Sequence, residues 1–171
     1  MDRLKARIRE IPDWPKKGIL FYDVTTLLKD GQCFSEVTEA LTKPFADKQV
    51  DIVVGIEARG FILAPVVARG LHAGFVPVRK PGKLPAATHK VSYDLEYGSD
   101  CLEIHQDAIQ PGQRVLIVDD LIATGGTARA VAEVIEKMGG TIVGLAFMVE
   151  LCALNGREKL SNYEVLSILK Y

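Results

Sequence analysis

Hydrophobic and polar positions follow two different periods along this chain. Short apolar runs recur at Asp51-Ile-Val-Val-Gly-Ile56, Phe75-Val-Pro-Val78 and Val115-Leu-Ile-Val118. Runs of that length predict strands buried on both faces, as in a parallel sheet. Between them the apolar spacing changes to three and four. Leu4, Ile8 and Ile11 predict a short amphipathic helix over residues 2–10, broken by Pro12, Pro15 and Gly18. Phe34, Val37, Leu41 and Phe45 predict another from Gly31 to Asp47. Residues 60–71 read as the helix after the first run, and 127–138 as a helix ended by Gly139-Gly140. Residues 141–149 and 164–169 supply two further strands. This order predicts an α/β fold with a Rossmann-like, mostly parallel central sheet of about five strands flanked by helices.

Residues 79–100 interrupt the pattern. They hold Lys80, Lys83, Lys90, two prolines, Thr88 and Ser92, with few apolar residues before Val91. The expectation is a long polar connection, and over residues 82–98 a mobile lid of irregular structure.

The chain has 171 residues, which predicts a single domain over 1–171. Hydrophobic residues make up 48% and charged residues 25%, which excludes a mostly disordered chain. Lys and Arg number 21 against 22 Asp and Glu, a net charge of −1. Without a basic excess, nucleic acid is not an expected partner. Cys33, Cys101 and Cys152 are far apart and form no Cys-x-x-Cys pair. That argues against a disulfide framework or a zinc site and fits a reducing compartment. No apolar stretch approaches the ~18 residues of a membrane span, and Met-Asp-Arg-Leu-Lys carries no apolar signal core. A cytoplasmic protein without membrane contact is expected.

The chemistry concentrates in Val115-Leu-Ile-Val-Asp-Asp-Leu-Ile-Ala-Thr-Gly-Gly-Thr127. A buried strand delivers Asp119 and Asp120 at its carboxyl end, where open α/β sheets bind ligands. Ala123, Thr124, Gly125, Gly126 and Thr127 then form a loop running into a helix. Glycines let backbone amides approach an anion, and a helix N-terminus favours phosphate. Thr124 and Thr127 add hydroxyl donors. The carboxylates cannot bind phosphate, but they suit the donor hydroxyls of a ribose. A sugar phosphate is the implied ligand. The Walker and Gly-x-Gly-x-x-Gly patterns are both absent.

The run Val118-Asp-Asp-Leu-Ile-Ala-Thr-Gly-Gly-Thr127 resembles the 5-phosphoribosyl-1-pyrophosphate (PRPP) signature of the type I phosphoribosyltransferases. The resemblance narrows to the adenine branch of that family. It rests on Trp14-Pro-Lys-Lys-Gly-Ile-Leu-Phe-Tyr-Asp23, Glu57-Ala-Arg-Gly-Phe61, Arg79-Lys-Pro-Gly-Lys-Leu-Pro85, Ser92-Tyr-Asp-Leu-Glu-Tyr-Gly98 and Gly156-Arg-Glu-Lys-Leu160. These segments span nearly the whole chain in order.

Much follows from the resemblance alone. It implies a small N-terminal hood over about residues 1–30 and a flexible lid over about 80–100. Glu57, Ala58 and Arg59 would contact pyrophosphate, with a cis peptide between Glu57 and Ala58. Arg79, Lys80 and Lys83 would approach PRPP as the lid closes. Glu96 would be the catalytic proton acceptor near the reacting nitrogen, with Arg59 stabilising the leaving charge and Tyr97 covering the site. Leu20, Phe21 and Tyr22 would stack on the purine and read its edge through backbone groups, and Leu151 would close the other side. Tyr22 stands where related enzymes commonly have arginine. His89 lies in the lid without an assigned role.

The implied reaction takes adenine and PRPP to AMP and pyrophosphate, a purine-salvage step. Mg²⁺ would be carried mainly by PRPP, pyrophosphate and water, with no direct protein ligand expected. A homodimer is implied as well. Two other readings stay open on the residues: transfer to another purine base, and a non-catalytic PRPP-sensing regulator.

Overall fold

A computed structural model describes the backbone of residues 1–95 and 98–171 and the side chains of 1–92 and 101–171. The chain opens with helix α1 (Asp2–Lys5), strands β1 (Arg9–Pro12) and β2 (Leu20–Asp23), and helix α2 (Thr25–Leu28). β1 and β2 pair antiparallel, Arg9 opposite Asp23 and Pro12 opposite Leu20. The helix expected over 2–10 is thus one turn long. Leu4 and Ile8 are buried, as the helical spacing requires, but Ile11 belongs to the hairpin. Strand pairing with a segment ten residues on overrode a weak local period.

Helix α3 (Gly31–Thr42) starts at Asp30, whose side chain accepts the Gln32 and Cys33 N–H groups at 3.1 Å each. A cap of this kind stabilises a helix by about 1 kcal/mol. A 3₁₀ turn, Lys43–Phe45, continues it and buries Phe45. Strand β3 (Ile52–Ile56), helix α4 (Gly60–Gly70) and strand β4 (Gly74–Val78) follow. Next come β5 (Thr88–Leu95) and β6 (Gly98–His105), then β7 (Arg114–Ile122), α5 (Gly126–Lys137), β8 (Thr141–Glu150) and β9 (Val165–Lys170).

Five strands form one parallel sheet in the order β4-β3-β7-β8-β9. In β7, Val115 to Val118 are fully buried, and alternate residues feed opposite layers. Leu116 and Val118 join Leu41, Leu63 and Val67 from α3 and α4. Val115 and Ile117 join Val131 and Ile135 from α5. Each such side chain contributes roughly 1.5–3 kcal/mol by leaving water.

The polar connection read from residues 79–100 is largely a hairpin. β5 and β6 pair antiparallel, from Thr88 opposite His105 to Leu95 opposite Gly98. Val91, Leu102 and Ile104 are buried in the layer that contains α5. A hairpin with one buried face needs apolar residues only at alternate positions, so its overall polarity concealed the strands.

Candidate active site

Parallel strands all end on one side, and the segments that follow β3, β4, β7 and β8 leave the sheet there. β7 runs on to Ile122, so Asp119 and Asp120 lie within the strand near its carboxyl end, rather than beyond it. Asp120 is buried and Asp119 half-buried. Arg59, at the N-terminus of α4, places Nε 2.8 Å from Asp120 Oδ2. That oxygen is buried and accepts no hydrogen bond from the described residues. Asp119 Oδ1 accepts the Asp120 N–H at 2.9 Å. Burial pushes both carboxyl groups upward from the usual range. The Asp120 charge adds to the rise at Asp119, whereas the Arg59 guanidinium opposes it at Asp120.

Ala123, Thr124, Gly125, Gly126 and Thr127 line a cleft of about 170 Å³ together with Asp119 and Phe147. Gly125 is the N-cap of α5 and has φ 74°, a left-handed conformation that glycine adopts without penalty. The loop amides and the positive end of the α5 dipole favour an anion in this cleft.

A cationic segment flanks the other side. Glu57 Oε2 accepts the Lys80 N–H at 2.9 Å and Arg79 Nε at 3.3 Å. Arg79 Nη1 donates to the Lys83 carbonyl at 3.2 Å. The Lys80 N–H, followed by the Arg79 and Lys83 charges, holds the Glu57 carboxyl below the usual range. Glu103 Oε2 accepts the Gly82 N–H at 3.0 Å. The two carboxylates hold the segment by its backbone and leave the Lys80 and Lys83 side chains exposed. Ala58 is exposed, and the Glu57–Ala58 peptide is cis, as the resemblance implied.

A second, largely apolar cleft of about 550 Å³ brings together Leu20, Tyr22 and Leu151 with Leu154, Tyr171 and Thr124. The Tyr22 and Tyr171 rings pack at 4.3 Å between centroids. Phe21 does not line this cleft. The Arg59 guanidinium carbon lies 5.4 Å from its ring centroid, and the Trp14 ring meets it edge-on at 4.3 Å. Thr124 lines both clefts, so the two are contiguous. Such an arrangement can hold a phosphate, a polyhydroxyl and a flat apolar body in one row.

Glu96 and Tyr97 lie outside the described residues. Sequence reasoning missed Phe147, Tyr171 and Glu103. Phe147 stands opposite Asp119 in the β7–β8 register, and Tyr171 follows β9. Neither position carries a local signal, because both reach the site through pairing across the sheet.

The phosphoribosyl transferase domain family matches residues 23–170. An adenine phosphoribosyltransferase of Acidobacterium capsulatum is 59% identical over 168 residues, covering 98% of this chain and 93% of that protein. This chain belongs to the adenine phosphoribosyltransferases. The general family match begins at Asp23, while the adenine phosphoribosyltransferase match extends over most of the N-terminal hairpin that carries Leu20, Phe21 and Tyr22. The adenine phosphoribosyltransferase of Thermoanaerobacter pseudethanolicus superposes with a TM-score of 0.96 at 50% identity, over 99% of each chain. That of Saccharomyces cerevisiae, complexed with an imino-altritol bisphosphate and adenine, gives 0.91 at 41% identity over 98% of this chain and 97% of its own.

Proposed function

We propose that this chain transfers the phosphoribosyl group of PRPP to adenine, giving AMP and pyrophosphate in purine salvage. The observation that carries this reading is the contiguity of three subsites. The Ala123–Thr127 loop suits a 5′-phosphate, Asp119 and Asp120 suit ribose hydroxyls, and the cleft of Leu20, Tyr22 and Leu151 suits a purine.

In the reaction the bond from C1 of the ribose to pyrophosphate breaks, and a bond from C1 to the base nitrogen forms. Arg59, Arg79, Lys80 and Lys83 offset the charge left on pyrophosphate. Glu57 and Ala58 present the turn that carries Arg59. Glu96 accepts the proton from the base nitrogen, and Tyr97 covers it as the segment around residues 80–100 closes and excludes water. Leu20 and Tyr22 line the hood over adenine, and Phe21 between them packs against Arg59 and Trp14. Adenine offers an amine donor at C6 and an acceptor at N1, whereas hypoxanthine inverts that pattern. Backbone groups matched to one reject the other.

Mg²⁺ is the expected cofactor, supplying charge neutralisation at the pyrophosphate oxygens. The donor set fits a hard cation. Asp120 Oδ2 is a buried carboxylate oxygen that faces Arg59 and accepts no hydrogen bond from the described residues, and with Asp119 it would hold Mg²⁺ through ribose hydroxyls and water.

A second copy of the chain is the expected partner. Ile62 and Val66 on α4 and Phe75 on the edge strand β4 are exposed, and the Phe61 and Phe75 rings pack at 6.1 Å. A homodimer would cover this apolar patch. Sedimentation should give twice the chain mass, and Val66→Glu should reduce it to one. No described helix is long and apolar enough to cross a membrane, and a cytoplasmic location fits the three cysteines.

Incubation with PRPP, Mg²⁺ and single purine bases tests the reading. Pyrophosphate release with adenine, and far less with hypoxanthine or guanine, is expected. Turnover of another base in preference would select the alternative purine reading, and PRPP binding without turnover would select the sensing regulator.

A further inference from the structure

The segment Gly156-Arg-Glu-Lys-Leu160 has no part in the reaction as derived above, yet it presses directly on the phosphate loop. After β8 the chain passes through Leu151, a 3₁₀ turn at Cys152–Leu154, Asn155 at φ 51° and a second 3₁₀ turn at Gly156–Leu160. Gly156 is buried against the loop. A Cβ there would stand 2.2 Å from the Ala123 carbonyl oxygen and 2.9 Å from the Gly125 nitrogen. The reverse also holds, since a Cβ on Gly125 would stand 2.2 Å from the Gly156 carbonyl oxygen. The two backbones cross with no room for a side chain on either.

Arg157 fixes the outer side of this crossing. Its Nε donates to Glu150 Oε1 at 3.0 Å and its Nη2 to Glu150 Oε2 at 2.7 Å. Nη1 donates to the Val165 carbonyl at 2.7 Å, and Nη2 also reaches Ser167 Oγ at 3.0 Å. Glu150 is buried at the carboxyl end of β8, opposite Ile122 of β7. A planar guanidinium fork on a buried carboxylate has one geometry, and a lysine cannot reproduce it. A continuous path of fixed contacts thus runs from β8 and β9 through Arg157 and Gly156 to Ala123 and Gly125.

We infer that Gly156, held by the Glu150–Arg157 fork, is a positioning residue that sets the phosphate loop for the 5′-phosphate of the substrate. The inference rests on the assignment of the 123–127 loop to that phosphate. An anion cradle built of amides works only if the amides converge, and a displacement of about 1 Å can cost as much as 10²-fold. Gly125 is the point where the loop turns left-handed into α5, so displacing it rotates the amides on either side. The pyrophosphate side is built separately, on Glu57, Arg79, Lys80 and Lys83 from the ends of β3 and β4. Arg157 donates to none of those residues.

The prediction is therefore selective by ligand. Calorimetric titrations of AMP and of pyrophosphate with Mg²⁺ into Gly156→Ala should raise the AMP Kd by about 10–100-fold and change the pyrophosphate Kd by less than about twofold. Arg157→Met and Arg157→Lys should shift the same ligand in the same direction. Circular dichroism checks the fold, and if Gly156→Ala does not fold, the Arg157→Lys variant reads the same split. Equal weakening of both ligands, or an unchanged AMP Kd in a folded variant, overturns the inference while leaving the functional reading standing. Failure of the wild-type chain to bind AMP overturns the functional reading and this inference together.

Discussion

Arg59 Nε stands 2.8 Å from Asp120 Oδ2, yet that oxygen accepts no hydrogen bond from any described residue. The pairing is one of charge, with the guanidinium N–H groups out of line. A buried carboxylate in this condition keeps a lone pair for an incoming donor. A ribose hydroxyl meets that need as the Arg59 side chain shifts, because the oxygen is covered by protein and not by water.

Asp119 bears the cost of the arrangement. Burial, then the Asp120 charge, push its carboxyl upward. A group whose pKa is raised by folding contributes fully below its unfolded value of about 3.9, and that contribution is lost as pH rises through the folded value. As pH rises through that window the buried carboxyl therefore comes to oppose folding. Asp119→Asn keeps an acceptor for the Asp120 N–H and should raise Tm at pH 7, by about 2–4 °C per kcal/mol recovered. The gain should fade below about pH 4, and PRPP affinity should fall. Thermal melts across pH 4–8 check this, and a lower Tm at pH 7 would contradict it.

Glu150 behaves in the opposite sense. Hydrogen bonds from Arg157 lower its pKa to about 2. Its contribution is present above the unfolded value of about 4.3 and is lost as pH falls through about 2. Glu150→Gln should lose about 1–3 kcal/mol at pH 7 and flatten the acid limb of the stability profile over that window. Denaturant unfolding at pH 7 and pH 3 would show a smaller difference than in the wild-type chain.

Glu96 and the aspartate pair should separate in kinetics. Glu96→Ala should lower kcat by about 10²–10⁴-fold, the range for a lost general base, with PRPP affinity little changed. Replacing Asp119 and Asp120 with Ala should weaken PRPP binding too, since each charge-assisted hydrogen bond contributes about 1.5–3 kcal/mol. Calorimetry with PRPP on both variants decides it. Weak binding in the Glu96 variant alongside normal binding in the aspartate variant would reverse the assignment.

Glu103 holds the cationic segment through the Gly82 N–H. Glu103→Ala should raise the pyrophosphate Kd by about 2–10-fold, as expected for one lost hydrogen bond that water partly replaces. Glu103→Gln keeps an acceptor and should stay near wild type. Equal losses in the two variants would point to charge instead of position.

The parallel sheet was legible because β3, β4 and β7 are unbroken apolar runs, a signal written locally. Asp119, Asp120 and the Ala123–Thr127 loop were legible because strand, turn and helix follow in one continuous stretch. The β1–β2 hairpin was misread, because Leu4, Ile8 and Ile11 mimic a helical face while the pairing partner lies beyond two prolines. The β5–β6 hairpin was missed because Val91, Leu102 and Ile104 are its main apolar investment in the core, and they are separated by the turn. Phe147 and Tyr171 enter the site by sheet register, which no local pattern encodes. Gly156 was quoted by resemblance, but only the backbone crossing at Gly125 gives it a physical task.

Trp14 is the single tryptophan of the chain. Its indole abuts Phe21, and Arg59 covers the same phenyl ring. Indole emission shifts with the charge and polarity a few ångströms away, so the molecule contains an unlabelled fluorophore at the edge of its own site. Any ligand that draws the guanidinium off Phe21, or that lays a flat ring on it, alters what Trp14 senses. Binding order then becomes readable as colour and intensity in a stopped-flow trace, one arrival at a time.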